Sequence, residues 1–456
     1  MGRVAAIRFM GLYVPVIAAF LLVFLRPRRK RIFPGALMGF VWTLPTLLAV
    51  QMLNLHFGWW RFNALGGLLL GMPIDLYLGW AVFWGILPIL SLGEAGLPWV
   101  SAVFLGVDLI LMPACSPVIT LGHRWLIGEF VALSLVLVPA QLFARWTIND
   151  TRIKARAVFH VLAAGGVFLF LIPEVVFSVR PGHRWDALLL EPAWLRSLEL
   201  QAIALLGVVG VSAVQEFAQR GDGTPIPYDP PKQLVVSGLY RYISNPMQLS
   251  CALLMTAWGC VLRTPWLAAA GVMSFLYSLG LAAWDEGEDM RVRFGKPWEE
   301  YRNNVKAWRP RLTPWHIPDR PLARLYVAET CGPCSEVRRW FKSQNAILLH
   351  VVAAEDHPTR DLRRMTYDPM DGTAVDEGVG AFARGLEHIN LGWAFAGACL
   401  RLPGIKHVVQ ILLDCSGLGP RSIPRRSGKL RPPVLGPSCS ARAVPDRQSI
   451  HGADSK

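Results

Sequence analysis

The amino-acid sequence predicts a polytopic α-helical membrane protein of about nine helices that ends in a small α/β domain. Of its 456 residues, 53% are hydrophobic, and the mean hydropathy is positive at +0.36. Several apolar runs approach the roughly 20 residues that a helix needs to span a bilayer. After Pro310 the composition shifts to that of a soluble domain, which carries the close cysteine pair Cys331 and Cys334.

The first expected helix covers residues 4–25, and the basic block RPRRKR follows it at 26–31. This run lacks a small-residue cleavage site, so we interpret it as a membrane helix and not as a signal peptide. Eight further spans are expected from the apolar runs at 33–52, 74–92, 98–114, 125–143, 157–178, 197–216, 248–262 and 265–284.

The basic flanks predict the orientation of these helices. Lysine and arginine accumulate on the cytoplasmic side of membrane helices. The block at 26–31 and the basic segment at 145–156 are separated by an even number of expected helices, so both should face the cytoplasm. Continuing the count places 217–247 and everything after Trp284 on that side. We therefore expect a multi-pass protein of the plasma or inner membrane whose C-terminal domain is cytoplasmic.

The formal charge of +14 lies mostly in these flanks and in the basic C-terminal tail, so no nucleic-acid partner is expected. Asp75, Glu129 and Glu174 lie in or beside apolar runs, where a carboxylate is costly and either functional or paired. We assign them no role. The ten histidines show no metal-ligand spacing, so no metal site is expected. A transporter would need paired intramembrane charges or repeats, which the sequence does not display.

The segment 238–310 carries two aromatic and charged clusters around two apolar runs. It begins GLYRYISNPM and closes DEGEDMRVRFGKPWEEYRNNVKAWRP. An ordinary basic flank and an interfacial segment would use Arg, Lys, Trp and Tyr in a similar way. The order of the residues, however, is G-L-Y-R-Y-x-x-N-P, then a hairpin, an acidic patch and R-x-R-F-G-x-x-W-x-x-Y-x-x-x-V-x-x-W-x-P. This order resembles the C-terminal core of the isoprenylcysteine carboxyl methyltransferase and phospholipid methyltransferase superfamily, over about 232–312.

This resemblance implies an integral membrane methyltransferase that uses S-adenosylmethionine (SAM) and acts on a lipidic or prenylated carboxylate or amine. Arg241 would orient a carboxylate, and Glu286 would accept a proton from an amine. The chain departs from the family at 247–250, which read Met-Gln-Leu-Ser, and at Gly287, where a second glutamate is usual. The implied cofactor-binding residues are Tyr240, Arg241, Asn245, Pro246, Glu286, Glu288, Phe294 and Tyr301.

The cysteine pair lies at a predicted strand-to-helix junction, between a strand at 324–328 and a helix at 335–343, with a second strand at 346–354. Amides at the helix N-terminus would stabilise the Cys331 thiolate, and Cys334 would resolve a mixed disulfide. Half of a zinc site is the alternative, although no second CxxC or paired histidine follows. The CGPC tetrapeptide resembles that of thioredoxin, and residues 323–415 resemble the DCC family of predicted thiol-disulfide oxidoreductases. This resemblance implies a thioredoxin-like fold, catalytic Cys331 and Cys334, and a thiol partner.

We therefore expect four regions: a transmembrane module at 1–195, a methyltransferase core at 196–316, a thioredoxin-like domain at 317–416 and a basic tail at 417–456. The tail is rich in Pro, Ser, Gly and Arg and is expected to be disordered. Two functions remain open. One is SAM-dependent methyl transfer in the membrane, and the other is a membrane-tethered thiol-disulfide oxidoreductase for which the helices are a scaffold.

Overall fold

The structure is a computed structural model that describes residues 2–25, 31–179, 185–226, 229–318 and 320–426, apart from the side chains of 281–286. The first half of the chain is helical, with four short strands between helices. Its helices are α1 (Gly2–Leu25), α2 (Ile32–Phe57), α3 (Ile74–Gly85), α4 (Leu87–Leu92), α5 (Leu97–Ala114), α6 (Trp125–Ala132), α7 (Val138–Ile148), α8 (Ile153–Gly166), α9 (Ile172–Val179), α10 (Asp186–Leu189) and α11 (Ala193–Glu216). The strands are β1 (Trp60–Phe62), β2 (Leu68–Leu69), β3 (Met72–Pro73) and β4 (Ile119–Leu121).

Seven helices in the described ranges are long and apolar enough to cross a membrane, and they coincide with the first seven spans expected from the sequence. Several of these spans contain two helices joined by a π-helical turn or a one-residue break. The spans are Gly2–Leu25, Ile32–Phe57, Ile74–Leu92, Leu97–Ala114, Trp125–Ile148, Ile153–Val179 and Ala193–Gly221. The last two expected spans are the helices α12 (Pro246–Val261) and α13 (Pro265–Tyr277), which are shorter than this length criterion.

Small residues let the N-terminal helices approach closely. A Cβ atom added to Gly79 would lie 2.0 Å from the carbonyl oxygen of Gly11, and one on Gly39 would lie 2.4 Å from that of Gly85. Helices in a membrane gain little from the hydrophobic effect between them, so close backbone contact is a main source of their association. Alanine at either position would force the two helices apart.

A charged network joins three segments that the sequence places on one membrane face. Arg31, after the first span, pairs with Asp150 at 2.9 Å and with Asp229 at 3.1 Å. Arg156, which is buried, pairs with Asp150 at 3.2 Å and also with Asp229. The segments after the first, fifth and seventh spans therefore share one face, as the even number of helices between them requires.

Two of the three carboxylates that the sequence singled out in or beside apolar runs have partners in this structure. Asp75 pairs with Arg8 at 2.7 Å, and Glu174 accepts a hydrogen bond of 2.9 Å from the indole of Trp185. Glu129 is buried, as is Asp108, which the sequence did not single out. Asp108 accepts a hydrogen bond of 2.9 Å from the indole of Trp84 on α3.

The helices α12 and α13 form a hairpin that leads into α14 (Ala283–Phe294) and α15 (Lys296–Asn304). They pack closely because a Cβ on Gly259 would meet the backbone nitrogen of Ala268 at 2.2 Å. The chain before α12 meets the chain after α15, since the amide of Ser244 donates a hydrogen bond of 3.2 Å to the carbonyl of Lys306.

The C-terminal domain contains β5 (Ala323–Val327), α16 (Gly332–Ser343), β6 (Leu349–Ala353), β7 (Thr366–Asp368), β8 (Asp376–Glu377), α17 (Val379–Leu386), α18 (Leu391–Arg401) and α19 (Pro403–Leu413). Its sheet has the order β6-β5-β7-β8, in which only the β5–β6 pair is parallel. The strand predicted at 324–328 and the helix predicted at 335–343 are present, although the helix begins three residues earlier. The second strand is shorter than the predicted 346–354.

The prediction of disorder from 417 onward is wrong for the first part of the tail. The amide of Ile423 donates a hydrogen bond of 2.8 Å to the carbonyl of Leu362, and the two residues form a β-bridge. Arg426 forms ion pairs with Glu329 and with Asp356. Backbone pairing and these charges attach the segment to the domain despite its Pro-rich composition. The remainder of the predicted tail, 427–456, lies outside the described residues.

Candidate functional site

The first motif forms a tight turn ahead of α12. Gly238–Arg241 is a 3₁₀ turn, and Gly238 has a φ of +61°, which favours glycine. Asn245 is the N-cap of α12, and Pro246 occupies the first helical position, where its missing N–H and fixed φ suit a helix start. Pro246 is buried, so it contributes to the site by fixing where α12 begins.

The second motif packs back against the first. Phe294, Trp298, Tyr301 and Val305 belong to one apolar cluster, which also contains Val236 from the segment before the turn. The Tyr301 hydroxyl donates a hydrogen bond of 2.8 Å to the carbonyl of Tyr240. The guanidinium of Arg302 donates one of 2.7 Å to the Ser244 hydroxyl. The aromatic residues of the second motif therefore fix the backbone of the first.

Between the two motifs lies a cleft of about 450 Å³, part of which is open solvent, and we call it the motif cleft. Three of the predicted cofactor-binding residues line it: Tyr240, Asn245 and Tyr301. The Asn245 amide donates a hydrogen bond of 3.1 Å to the side chain of Gln248. The remaining lining residues are Phe217, Pro231, Leu234, Val235, Ser244, Met247, Gln248, Met290 and Trp298.

The other predicted residues of the second motif lie around this cleft or outside the described side chains. Phe294 packs in the cluster beneath the cleft and does not line it. Glu288 is exposed and forms an ion pair of 3.6 Å with Arg291. Glu286 lies one turn before Met290 on α14, and its side chain is outside the described residues. Residues four apart share a helix face, so this position is on the side of α14 that Met290 turns towards the cleft.

The side chain of Arg241 lies outside the motif cleft. It lines a second cavity of about 830 Å³, part of it open solvent, between the hairpin region and the C-terminal domain. We call this the interdomain cavity. His316, Arg384 and His388 also line it. Leu234 and Val235 contribute to both cavities, so a single stretch of chain separates the motif cleft from the interdomain cavity.

A buried charge network, which the sequence did not reveal, holds the C-terminal domain against the end of α11. Glu216 is 0% exposed and pairs with Arg384 at 2.8 Å and with Arg401. Arg401 also pairs with Glu387 at 2.8 Å. The Ser237 hydroxyl donates a further hydrogen bond of 2.6 Å to Glu216. Residues from the membrane helices and from the domain thus neutralise one another out of contact with water.

Burial and neighbouring arginines lower the pKa of both histidines that line the interdomain cavity. Burial lowers the pKa of His388 well below its ordinary value, and the charges of Arg241 and Arg384 act in the same direction. Its Nδ1 lies 2.8 Å from the carbonyl oxygen of Ile347, so this nitrogen carries the proton. The Tyr367 hydroxyl, 3.0 Å away, then donates to Nε2. Burial and the neighbouring arginines likewise lower the pKa of His316.

The cysteine pair lies where the sequence predicted it, at the start of α16. Cys331 is the N-cap of this helix, and its carbonyl accepts a hydrogen bond of 2.9 Å from the amide of Ser335. Burial raises the pKa of the Cys334 thiol to about 12, and its hydrogen bond with Cys331 acts in the same direction. The Cys334 thiol is therefore protonated at neutral pH.

Glu355 is a neighbour of this pair that sequence reasoning missed. Its carboxylate accepts hydrogen bonds from the amides of Glu329, at 3.0 Å, and Thr330, at 3.1 Å, and one of 2.9 Å from the Thr330 hydroxyl. Burial would raise the pKa of Glu355, but these hydrogen bonds hold it below the ordinary value. Glu355 thereby fixes the loop that precedes Cys331.

Within the described part of the chain, no group of three or more His, Cys, Asp or Glu side chains converges in a way that could hold a metal ion.

Comparisons with family models, with curated proteins and with solved structures found no match to this chain.

Proposed function

We propose that this protein is an integral membrane methyltransferase that binds SAM in the motif cleft. The observation that carries the proposal is the joining of two distant motifs around one cavity. Tyr240 and Tyr301 are 61 residues apart, yet they share a hydrogen bond and line the same cleft. Methyl transfer from a sulfonium is a displacement in which the cofactor supplies the chemistry and the protein supplies alignment, so a cleft without a dedicated nucleophile suits it.

The lining of the cleft suits a ligand with both apolar and polar parts. Tyr240, Trp298 and Tyr301 offer aromatic surfaces, and Asn245 offers an amide that can donate and accept hydrogen bonds. Glu286, one turn before Met290, is the proposed acceptor for an amine or a ribose hydroxyl. The Arg241 side chain lies in the other cavity, so the proposed SAM site does not include it.

A lipidic or prenylated acceptor would reach the cleft laterally, through the apolar hairpin. The helix α13 exposes apolar side chains along its outer side, which include Val272, Met273 and Leu276. Such a face suits the acyl region of a membrane. Together with the basic flanks, this arrangement supports about nine membrane helices, with the cleft and the C-terminal domain on the cytoplasmic side, where SAM is made.

The test is SAM binding to the detergent-purified protein, measured by calorimetry. The substitution Asn245→Leu removes a polar group from the cleft and is expected to weaken SAM binding by about tenfold or more, which corresponds to a lost hydrogen bond of about 1.4 kcal/mol. Glu286→Ala should have a comparable effect. The matched control is Asn304→Leu, because the Asn304 amide donates only to the exposed carbonyl of Glu300. Absence of SAM binding by the unmutated protein, or equal affinities in the three variants, would overturn the proposal.

The cysteine pair favours a second activity, thiol-disulfide exchange by a thioredoxin-like domain tethered to the membrane. Its support is the position of Cys331 at the N-cap of α16, within a parallel β5–α16–β6 unit. The Cys331 thiolate would attack a substrate disulfide and release one substrate thiol. Cys334 would then attack the mixed disulfide and release the second, which leaves the substrate reduced and the pair oxidised. Loss of insulin-disulfide reduction in Cys331→Ser, with SAM binding retained, would establish this activity as separate.

A further inference from the structure

The interdomain cavity is basic in a way that neither proposed activity uses. Its described lining contains four arginines and one acidic residue, Asp371. The arginines come from both sides of the domain boundary. Arg220 lies at the end of the seventh span, and Arg241 lies in the turn before α12. Arg320 lies in the connecting segment, and Arg384 lies on α17. An excess of positive charge along the wall of a cavity favours anionic ligands.

Three of these arginines have acidic partners, and Arg241 has none in the described part of the chain. Arg320 pairs with Asp371 at 3.4 Å, and Arg220 pairs with Asp376 at 3.2 Å. Arg384 pairs with Asp376 at 3.0 Å and with Glu387 at 3.2 Å, in addition to its pair with Glu216. The pairing therefore leaves the charge of Arg241 uncompensated at the wall of the cavity.

Among the arginines that line this cavity, two buried guanidinium nitrogens also lack a hydrogen-bond partner in the described part of the chain. They are Nε of Arg241 and Nη2 of Arg384. Arg384 is only 1% exposed, so water does not satisfy this donor at the protein surface. A buried donor left unsatisfied costs about 1–3 kcal/mol, and more when it is charged. Both residues line the same cavity, from opposite sides of the domain boundary.

We propose that the interdomain cavity is a binding site for a phosphate monoester, which Arg241 and Arg384 hold between the two domains. The planar guanidinium group matches the oxygens of a phosphate, and two such groups from different directions suit a tetrahedral dianion better than a planar carboxylate. The cavity is partly open to solvent, so a group esterified to the phosphate can extend out of it. Ile317, Pro321 and Leu348 give part of the cavity apolar walls.

The site is tested with inorganic phosphate and the purified full chain in detergent. Thermal unfolding is followed by tryptophan fluorescence while phosphate replaces chloride at constant ionic strength. A ligand that binds only the folded state raises the apparent Tm, and the rise grows with the logarithm of ligand concentration once that concentration exceeds Kd. We expect this rise with phosphate and not with acetate. Arg241→Gln should increase the apparent Kd for phosphate by about tenfold or more. No phosphate-specific rise in the unmutated protein would overturn the proposal.

The matched control is Arg339→Gln, because Arg339 is exposed and pairs only loosely with Glu336, at 3.9 Å. Its apparent Kd should equal that of the unmutated protein, whereas an equal loss in Arg339→Gln and Arg241→Gln would overturn the site. If Arg241→Gln does not fold, Arg241→Lys replaces it. Lysine keeps the charge but not the planar fork, so a weaker Kd supports the site and an unchanged Kd overturns it.

A second arm identifies the source of the phosphate. The protein is reconstituted in phosphatidylcholine nanodiscs with and without phosphatidic acid, whose headgroup is a phosphate monoester. If the native ligand is this lipid headgroup, phosphatidic acid competes and raises the apparent Kd for inorganic phosphate. If the native ligand is a soluble ester, the two preparations give the same Kd. Phosphate binding is measured without SAM, so its outcome does not depend on the methyltransferase proposal.

Discussion

Replacement of Glu216 by glutamine should release the C-terminal domain from the membrane helices. Glu216 is fully buried at the end of α11, and it pairs with Arg384 at 2.8 Å and with Arg401. Glutamine has nearly the same shape but no charge, so Glu216→Gln leaves two buried guanidinium groups facing a neutral amide. Removing one partner of a buried ion pair costs about 3–5 kcal/mol.

The expected size of the effect follows from where these partners lie. Both arginines belong to the domain, so the loss falls on its docking to α11 and much less on the fold of either part. A loss of about 3–5 kcal/mol lowers the docking equilibrium by about two to four orders of magnitude. Hydrogen exchange of the α17 and α18 amides should therefore accelerate strongly, while exchange in α2 and α3, far along the chain, should stay unchanged.

The matched control is Glu377→Gln in the same domain. Glu377 is exposed and pairs with Arg360 at 3.1 Å, and exposed pairs contribute about 0–1 kcal/mol. Adding Arg401→Met to Glu216→Gln removes one of the two arginines that lost Glu216 as a partner and leaves Glu387 to Arg384, so it should restore part of the protection. Equal protection in Glu216→Gln and Glu377→Gln would refute the claim that the buried network holds the domain in place.

Two other predictions concern the C-terminal domain. Iodoacetamide at pH 8 should alkylate Cys331 well before Cys334, because burial raises the pKa of Cys334 to about 12; mass spectrometry showing Cys334 modified first would contradict the proposed roles. Burial alone would raise the pKa of Asp376, but Arg384 lowers that pKa below its ordinary value. The ionised Asp376 carboxylate therefore stabilises the fold fully above about pH 4, and this stabilisation is lost as the pH falls through the lower pKa of the folded state. Thermal unfolding should therefore show a smaller loss of Tm between neutral and acidic pH in Asp376→Asn than in the unmutated protein.

Composition and local pattern were enough to predict much of the fold. Long apolar runs have few alternatives to a membrane helix, because backbone groups must pair within the segment in lipid. The seven candidate spans were located in this way. The strand before Cys331 and the helix after it were also predicted, since the apolar strand, the CGPC tetrapeptide and the amphipathic helix follow one another without interruption.

The candidate site was only partly predictable. Tyr240, Asn245 and Tyr301 meet as expected, because a hairpin returns the chain to the same membrane face. Arg241 does not join them, since neighbouring residues of a tight turn direct their side chains to different sides, and no sequence pattern shows which side faces which cavity. The buried partner of Glu216 lies 168 residues away at Arg384, a pairing that no local periodicity reveals.

The contacts of Glu387 show why the hairpin region and the C-terminal domain are not independent parts. Its carboxylate accepts a hydrogen bond of 2.9 Å from the amide of Gly238, and its carbonyl accepts one of 2.9 Å from the Tyr242 hydroxyl. These two contacts lie on either side of Tyr240 and Arg241, so the domain fixes the turn from which both cavities are built. Any ligand that changes the docking of the domain must therefore change the wall of the motif cleft, and the same coupling acts in reverse.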